Sequence, residues 1–109
     1  MEGNEFQKRA LTTFNRENTM LLLEGATGMC TEAGETLDVL TKFLFQGHPL
    51  DKRHMALEIG DTLCYIAVTA SALGYTLDEI MEMNIEKREK RYRGEFSVEK
   101  SLNRKEGDI

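Results

Sequence analysis

Glu32-Ala-Gly-Glu35 and Glu58-Ile-Gly-Asp61 are two short motifs, each with a glutamate followed three residues later by a second acid. Twenty-two residues separate the motifs, and each lies in a stretch whose apolar residues recur at helical spacing. Residues three apart lie on one face of a helix, so each motif presents two carboxylates side by side. Two such helices packed antiparallel would bring four carboxylates into one cluster. The paired motifs therefore predict a helical hairpin with an acidic site.

The four acids indicate a metal site. Clustered carboxylates repel one another, and a hard divalent cation with oxygen ligands relieves that repulsion. A di-iron bundle would use Glu-x-x-His pairs, which neither motif contains, so Mg²⁺ is favoured, with Mn²⁺ as the second choice. Mg²⁺ held by a few carboxylates leaves positions for water and substrate phosphates, which favours phosphate-ester or anhydride chemistry. The alternative is a solvated helix face, the usual meaning of a single Glu-x-x-Glu.

Glycines inside the motifs favour the functional interpretation. Gly34 and Gly60 each lie in the middle of an expected helix, where glycine costs about 1 kcal/mol relative to alanine. We therefore expect a helix or a ligand to approach closely at both positions.

Length and charge limit the possible classes of protein. A chain of 109 residues with 40% hydrophobic residues predicts one domain, residues 1–109, whose modest core needs a partner subunit. The net charge of -5 argues against a nucleic-acid polymer as partner. No basic segment leads into an apolar run, and the apolar clusters are too short to span a bilayer, so we expect a cytoplasmic protein without a membrane partner. Cys30 and Cys64 are expected to be buried thiols rather than a disulfide or zinc ligands.

The chain has one proline and no alternating strand pattern, so an all-α bundle of four to five helices is predicted. The core is expected over about residues 19–93, with a short turn from Ser97 and a polar tail over 103–109. The first helix is expected to begin at Asn4 as N-cap, and the second to run from about Thr19 to Phe45. The third is expected to run from Asp51 as N-cap to about Leu73. The fourth is expected to begin at the capping box Thr76-Leu-Asp-Glu79 and to end at Gly94.

Each long helix carries an apolar stripe that we expect to face inward. The stripe residues are Leu22, Ala26, Met29, Ala33, Leu37, Leu40 and Leu44 on the second helix, and Met55, Ile59, Leu63, Ile66, Ala70 and Leu73 on the third.

Cationic and aromatic side chains are candidates for substrate contacts. Lys87 and Arg91 form an i, i+4 pair on the fourth helix, with Asn84 before them, and Lys42 follows the first acidic motif. The alternative is a set of solvated helix residues, stabilised in the fourth helix by positive charge near its C-terminus. His54 lies four residues before Glu58, on the same helical face, and is interpreted as a surface residue, with a contact to a metal ligand or the substrate as the alternative. Tyr65 is interpreted as a core or interface residue, with stacking on a base as the alternative.

Three ordered segments together carry a family resemblance: Thr31-Glu-Ala-Gly-Glu-Thr-Leu-Asp38, Leu57-Glu-Ile-Gly-Asp-Thr-Leu-Cys-Tyr-Ile66 and Asn84-Ile-Glu-Lys-Arg-Glu-Lys-Arg-Tyr92. In combination they resemble the MazG-like nucleotide pyrophosphohydrolases of the all-α NTP pyrophosphatase superfamily. The similarity covers roughly residues 19–93.

The resemblance implies a Mg²⁺-dependent enzyme that cleaves an NTP or dNTP between its α- and β-phosphates, giving the monophosphate and pyrophosphate. It implies metal binding by Glu32, Glu35, Glu58 and Asp61, and phosphate or sugar contacts by Asn84, Lys87 and Arg91. Glu35 or Glu32 would orient or deprotonate the attacking water, and Lys42 is a further candidate contact. A homodimer or homotetramer is also implied, with helices of neighbouring subunits completing the core.

Two other functions compete with this one. The first is a non-catalytic, metal-stabilised helical oligomer or regulatory module, whose mark would be the loss of an acid or of Lys87 and Arg91; all are present. The second is a pyrophosphatase for a specialised nucleotide, such as a phosphoribosyl-ATP pyrophosphatase, which the four acids do not distinguish. The nucleobase and the choice between ribose and deoxyribose are not assigned by the sequence.

Overall fold

The computed structural model describes residues 1–92 and Leu102. Within this part of the chain the secondary structure consists of four helices and no strand: α1 (Gly3–Leu11), α2 (Asn18–Phe45), α3 (Lys52–Leu73) and α4 (Leu77–Tyr92). The predicted all-α fold is therefore confirmed. The expected end of the fourth helix at Gly94, the turn from Ser97 and the polar tail lie outside the described residues.

The predicted start and end of α3 and the predicted start of α4 are confirmed by their capping interactions. Asp51 Oδ1 accepts a hydrogen bond from the His54 backbone N–H at 2.9 Å, which satisfies an N–H of the first turn of α3. Gly74, with φ of +86°, ends α3 in the left-handed conformation that favours glycine. At the start of α4, Thr76 and Glu79 exchange two side-chain to backbone bonds at 3.0 and 3.1 Å, which is a capping box.

The start of α1 differs from the prediction, whereas α2 agrees with its expected span to within one residue. Asn4 does not cap α1, because Glu2 precedes the helix as its N-cap. The Asn4 side chain instead accepts a hydrogen bond from the Asp78 backbone N–H at 3.1 Å and so joins α1 to the start of α4. Glu17 caps α2 by accepting bonds from the backbone N–H groups of Thr19 and Met20.

A buried glutamine holds α1 against the junction of α3 and α4. Gln7 Oε1 accepts from the Leu77 backbone N–H at 2.9 Å, while Nε2 donates to Ser71 Oγ and to the Tyr75 carbonyl oxygen, both at 2.9 Å. The apolar core beside it consists of Ala67, Ala70 and Leu77, with Phe6, Ala10, Ile66 and Ile80 packed around them. This core therefore lies at the C-terminal end of α3, and the acidic motif of α3 lies nearer its N-terminal end.

The hairpin of α2 and α3 turns small and acidic residues inward, so the predicted inward stripes are largely wrong. The buried residues are Leu21, Gly25, Gly28 and Val39 on α2 and Glu58, Ala67, Val68 and Ala70 on α3. The stripe residues Leu37 and Ile59 are 62% and 57% exposed. One residue along a helix turns the direction by about 100°, and the inward face of α2 lies one residue before the predicted stripe. Side chains of α3 lie against the glycines of that face.

By length and composition alone, α3 is apolar enough to cross a membrane, with a mean hydropathy of 1.3 over its most apolar window. It is the one helix of the described residues with this property, which the sequence prediction overlooked, and core helices of soluble proteins share it. In this fold α3 packs on α2 and carries two acids of the cluster described next.

Candidate acidic metal centre

The two acidic motifs meet where α2 and α3 pack side by side. Glu32 of α2 and Glu58 and Asp61 of α3 each offer a carboxylate oxygen, and these three oxygens lie within 4.8 Å of one another. Glu35, one turn after Glu32, is close enough to Glu58 and Asp61 for their charges to raise its pKa. The structure therefore brings all four predicted acids into one neighbourhood, with Glu35 at the exposed edge.

The carboxyl groups shift one another's pKa values. The pKa of Glu32 is raised to about 7, chiefly because its protonated carboxyl donates a hydrogen bond to Glu58, and further by burial and by the charges of Glu35 and Glu58. The pKa of Glu35 is raised for the same first reason, a hydrogen bond with Glu58. The pKa of Glu58 is lowered, chiefly because it accepts the hydrogen bond from Glu32. The acids act as a coupled set rather than as independent surface groups.

Two oxygens of the cluster fit a bound cation. Glu32 Oε2 and Glu58 Oε2 are shielded from solvent and have no hydrogen-bond partner among the described residues, although Glu58 is only 8% exposed. A buried carboxylate oxygen without a donor is costly, and a cation would satisfy both oxygens at once. A donor set made only of carboxylates suits Mg²⁺ or Mn²⁺.

Comparison with known protein families identifies the fold. The sequence profile of the MazG nucleotide pyrophosphohydrolase domain matches residues 23–96, which is more than half of the chain and includes both acidic motifs. The chain belongs to the MazG family. No curated protein and no solved structure matches it.

The substrate-contact candidates of this MazG chain lie on α4 and at the end of α2. Asn84 and Lys87 lie in the stretch 81–90 of α4, in which every residue is exposed. Among the described residues, no hydrogen bond or ion pair joins either of them to an acid of the cluster. Arg91 lies at the end of α4 and is partly buried. Lys42 pairs with Asp38 at 2.8 Å and lines a cavity of about 240 Å³ with His48 and His54. Their roles in substrate binding stay predictions.

His54 makes a further contact with the acids. Its Nε2 lies 3.2 Å from Glu58 Oε1, and the side chain is 51% exposed, so His54 is a surface residue that also makes the contact named as its alternative interpretation. The i, i+4 spacing places the two side chains on one face of α3. A residue that hydrogen-bonds to a metal-binding carboxylate in this way orients that carboxylate.

The glycines that the helices require are not the ones inside the MazG motifs. A Cβ added at Gly34 or Gly60 would meet nothing within 4 Å, so no helix of the described protomer approaches either glycine, and the approach of a ligand stays a prediction. A Cβ at Gly28 would instead collide with the ring of Tyr65, and one at Gly25 would collide with Thr69. The expected burial of Cys30 is also wrong, since Cys30 is exposed, while Cys64 is partly buried; both thiols are free. The sequence marks helical glycines but does not reveal which of them has a neighbour.

Proposed function

We propose that this MazG protein is a Mg²⁺-dependent pyrophosphohydrolase that converts a nucleoside or deoxynucleoside triphosphate to the monophosphate and pyrophosphate. The proposal rests on the group of Glu32, Glu58 and Asp61, in which Glu32 Oε2 and Glu58 Oε2 are shielded from solvent and have no hydrogen-bond partner among the described residues. Such a group has no evident structural purpose, because its carboxylates repel one another and displace apolar contacts from the centre of the hairpin.

The acids divide the work according to their positions. Glu32, Glu58 and Asp61 would hold the cation, and His54 would fix the Glu58 carboxylate by hydrogen bonding to Oε1. When bound, Mg²⁺ supplies charge neutralisation at the phosphate oxygens. Glu35 is exposed at the edge of the cluster, and its raised pKa suits a group that accepts a proton.

The proposed reaction follows from that arrangement. Glu35 takes a proton from a water molecule while the water oxygen forms a bond to the α-phosphorus. The bond between the α-phosphorus and the bridging oxygen breaks, and the electron pair leaves with pyrophosphate. Lys87 and Arg91 are the proposed partners for the phosphate oxygens, on which negative charge develops.

We further propose that a second copy of the chain completes the site. The described residues bury few large apolar side chains, while Leu37 and Leu44 of α2 and Ile59 and Leu63 of α3 remain exposed in the protomer. Exposed apolar faces of this extent are typical of subunit interfaces. Lys87 makes no hydrogen bond or ion pair with the described residues of its own chain, so we propose that α4 of one subunit serves the acids of another in a dimer or dimer of dimers.

Mixed subunits test this arrangement. Glu58→Gln and Lys87→Ala variants are each expected to be inactive or weak alone. Unfolded and refolded together, they should regain activity, because some mixed dimers then contain one site with both intact residues. A mixture no more active than the sum of its parts would contradict the shared site. Sedimentation equilibrium on the wild type would identify a monomer, which would also contradict it.

Substitution of single acids tests the site itself. Glu58→Gln and Glu35→Gln keep the side-chain shape but remove the charge, so both are expected to lose Mg²⁺-dependent turnover while remaining folded by circular dichroism. Glu5→Gln is the matched control, because Glu5 is an exposed acid of α1 in a surface ion pair with Arg9. Full activity of either site variant would refute the assignment.

A further inference from the structure

A cavity of about 360 Å³ opens beside the acidic cluster, between the first half of α2 and the middle of α3. Its wall combines apolar, aromatic and charged side chains: Arg16, Met20, Leu23, Glu24, Gly28 and Tyr65. We refer to it as the Arg16–Tyr65 cavity.

The cavity begins about one helical turn from the acids. Gly28 lies four residues before Glu32 on α2, which is an axial distance of about 6 Å, and Tyr65 lies four residues after Asp61 on α3. Burial raises the pKa of the Tyr65 hydroxyl, and the nearby charges of Glu32 and Glu24 raise it further. Tyr65 therefore lines the cavity and lies close enough to the cluster for the charge of Glu32 to act on its hydroxyl.

The aromatic wall is fixed in place by two neighbours. Gly28 has no side chain, so the Tyr65 ring lies directly against the backbone of α2. Phe14, in the segment before α2, meets the same ring edge-on, with centroids 5.9 Å apart and an interplanar angle of 75°. A rigid aromatic wall next to apolar side chains is suited to a flat heterocycle.

The charged part of the wall is neutral overall. Arg16 Nε lies 2.6 Å from Glu24 Oε2, and this oxygen is shielded from solvent. Since the carboxylate compensates the guanidinium, the cavity does not offer the excess positive charge that phosphates require. It does offer one group that accepts hydrogen bonds beside one that donates them. The Watson–Crick edge of a nucleobase presents the complementary groups side by side.

We propose that the Arg16–Tyr65 cavity binds the nucleobase of the substrate and that Arg16 and Glu24 determine which base is preferred. This inference rests on the proposed function, since it assumes that the phosphates occupy the acidic cluster. Glu24 accepts a hydrogen bond from an amino or ring N–H of the base, and Arg16 donates to an adjacent carbonyl oxygen or ring nitrogen. The Tyr65 ring forms the aromatic wall against the base.

Two variants test the proposal by changing selectivity. Glu24→Gln replaces an acceptor by a group that also donates, and Arg16→Met removes the donor while keeping an apolar stem. Each is expected to change the ratio of kcat/KM between nucleotides of different base by about 5- to 150-fold, the range for loss of a paired base contact. Arg9→Met is the matched control, because it removes an arginine from an exposed pair with Glu5 on α1, and its ratios should equal those of wild type.

Nucleoside binding provides a readout that does not depend on turnover. In EDTA, saturation-transfer NMR with free nucleosides should show transfer to the base protons in the wild type and in Arg9→Met, and reduced transfer in Glu24→Gln. Circular dichroism identifies a variant that fails to fold. In that case the base selectivity of the other variant tests the proposal.

The outcomes separate this inference from the proposed function. Turnover of triphosphates with unchanged base ratios in both variants would overturn the cavity's role and leave the pyrophosphohydrolase intact. No turnover of any triphosphate by the wild type would refute the proposed function, and nucleoside binding then decides alone. Transfer that is lost in Glu24→Gln supports the base site, whereas transfer that is absent in the wild type overturns it.

Discussion

The replacement of Gly28 by alanine tests how tightly the hairpin of α2 and α3 is packed beside the site. In a helix interior, alanine is favoured over glycine by about 1 kcal/mol, so propensity alone predicts a more stable protein. The added Cβ, however, would overlap three ring atoms of Tyr65, the farthest of which, Cε1, lies only 2.5 Å away. Phe14 restrains the ring on another side, so the overlap is relieved only by moving the ring or separating the helices.

The magnitude follows from these two opposing terms. Overpacking of a well-filled region costs about 1–3 kcal/mol, and the contact with three ring atoms places Gly28→Ala in the upper part of that range. After the helix propensity is subtracted, we expect a net loss of about 1–2 kcal/mol in the free energy of unfolding. For a chain of this size, each kcal/mol lowers Tm by about 4–8 °C.

Gly34→Ala is the matched control, because Gly34 lies in the same helix and its Cβ would meet nothing within 4 Å of the described protomer. It should raise the free energy of unfolding by up to about 1 kcal/mol. Urea unfolding followed by far-UV circular dichroism, at one protein concentration, measures both variants. A Gly28→Ala protein as stable as wild type would refute the packing described here. A destabilised Gly34→Ala protein would place a second copy against that face of α2.

Three further predictions concern the core, the acids and α4. Gln7→Met should lower the free energy of unfolding by about 1–3 kcal/mol, because the buried Leu77 N–H loses its acceptor. Gln46→Met, at an exposed helix end, should leave the free energy of unfolding unchanged, and urea titration of both variants makes the comparison. Because the folded pKa of Glu32 lies near 7, above its ordinary 4.5, its stabilising effect is complete below about pH 4.5 and is lost as the pH rises through 7. In EDTA, Tm should therefore fall from about pH 4.5 to about pH 7. Glu32→Gln should reduce that fall, and Mg²⁺ should raise Tm most at the higher pH. A Tm that rises over this range in EDTA would contradict the raised pKa. Lys87→Ala should lower kcat/KM for triphosphates more than Lys90→Ala, a change in the same exposed stretch of α4. Equal kcat/KM values for the two variants in steady-state kinetics would mean that Lys87 is only a solvated surface residue.

The parts of the fold that follow local rules could be predicted from the sequence. Asp51 caps α3, Gly74 ends it, and Thr76 with Glu79 begins α4, because each of these interactions joins residues at most five apart. The capping role expected of Asn4 failed for the opposite reason, since its partner Asp78 lies 74 residues away. The hydrogen bonds of Gln7 to residues 60 to 70 positions away could not be predicted from local sequence either.

The direction in which the helices face was the main error, and its cause is physical. Apolar periodicity selects the most hydrophobic stripe as the inward face, which placed Leu37 and Ile59 in the core. The hairpin instead buries Gly28 and Glu58 between its helices. The spacing of Glu32, Glu58 and Asp61 still identified the group that meets, because it depends only on helical geometry and an antiparallel pair. Two features depend on tertiary contacts and could not be predicted from the sequence. One is which helical glycine has a close neighbour, and the other is the ion pair between Arg16 and Glu24.

Pyrophosphate release from a panel of canonical and damaged NTPs and dNTPs, measured with Mg²⁺ and with EDTA, tests the central claim most directly. We expect at least one nucleotide to yield its monophosphate and pyrophosphate in equal amounts. We also expect EDTA to stop the reaction and Glu58→Gln to be inactive. Orthophosphate as the product, or pyrophosphate release that continues in EDTA, would contradict it.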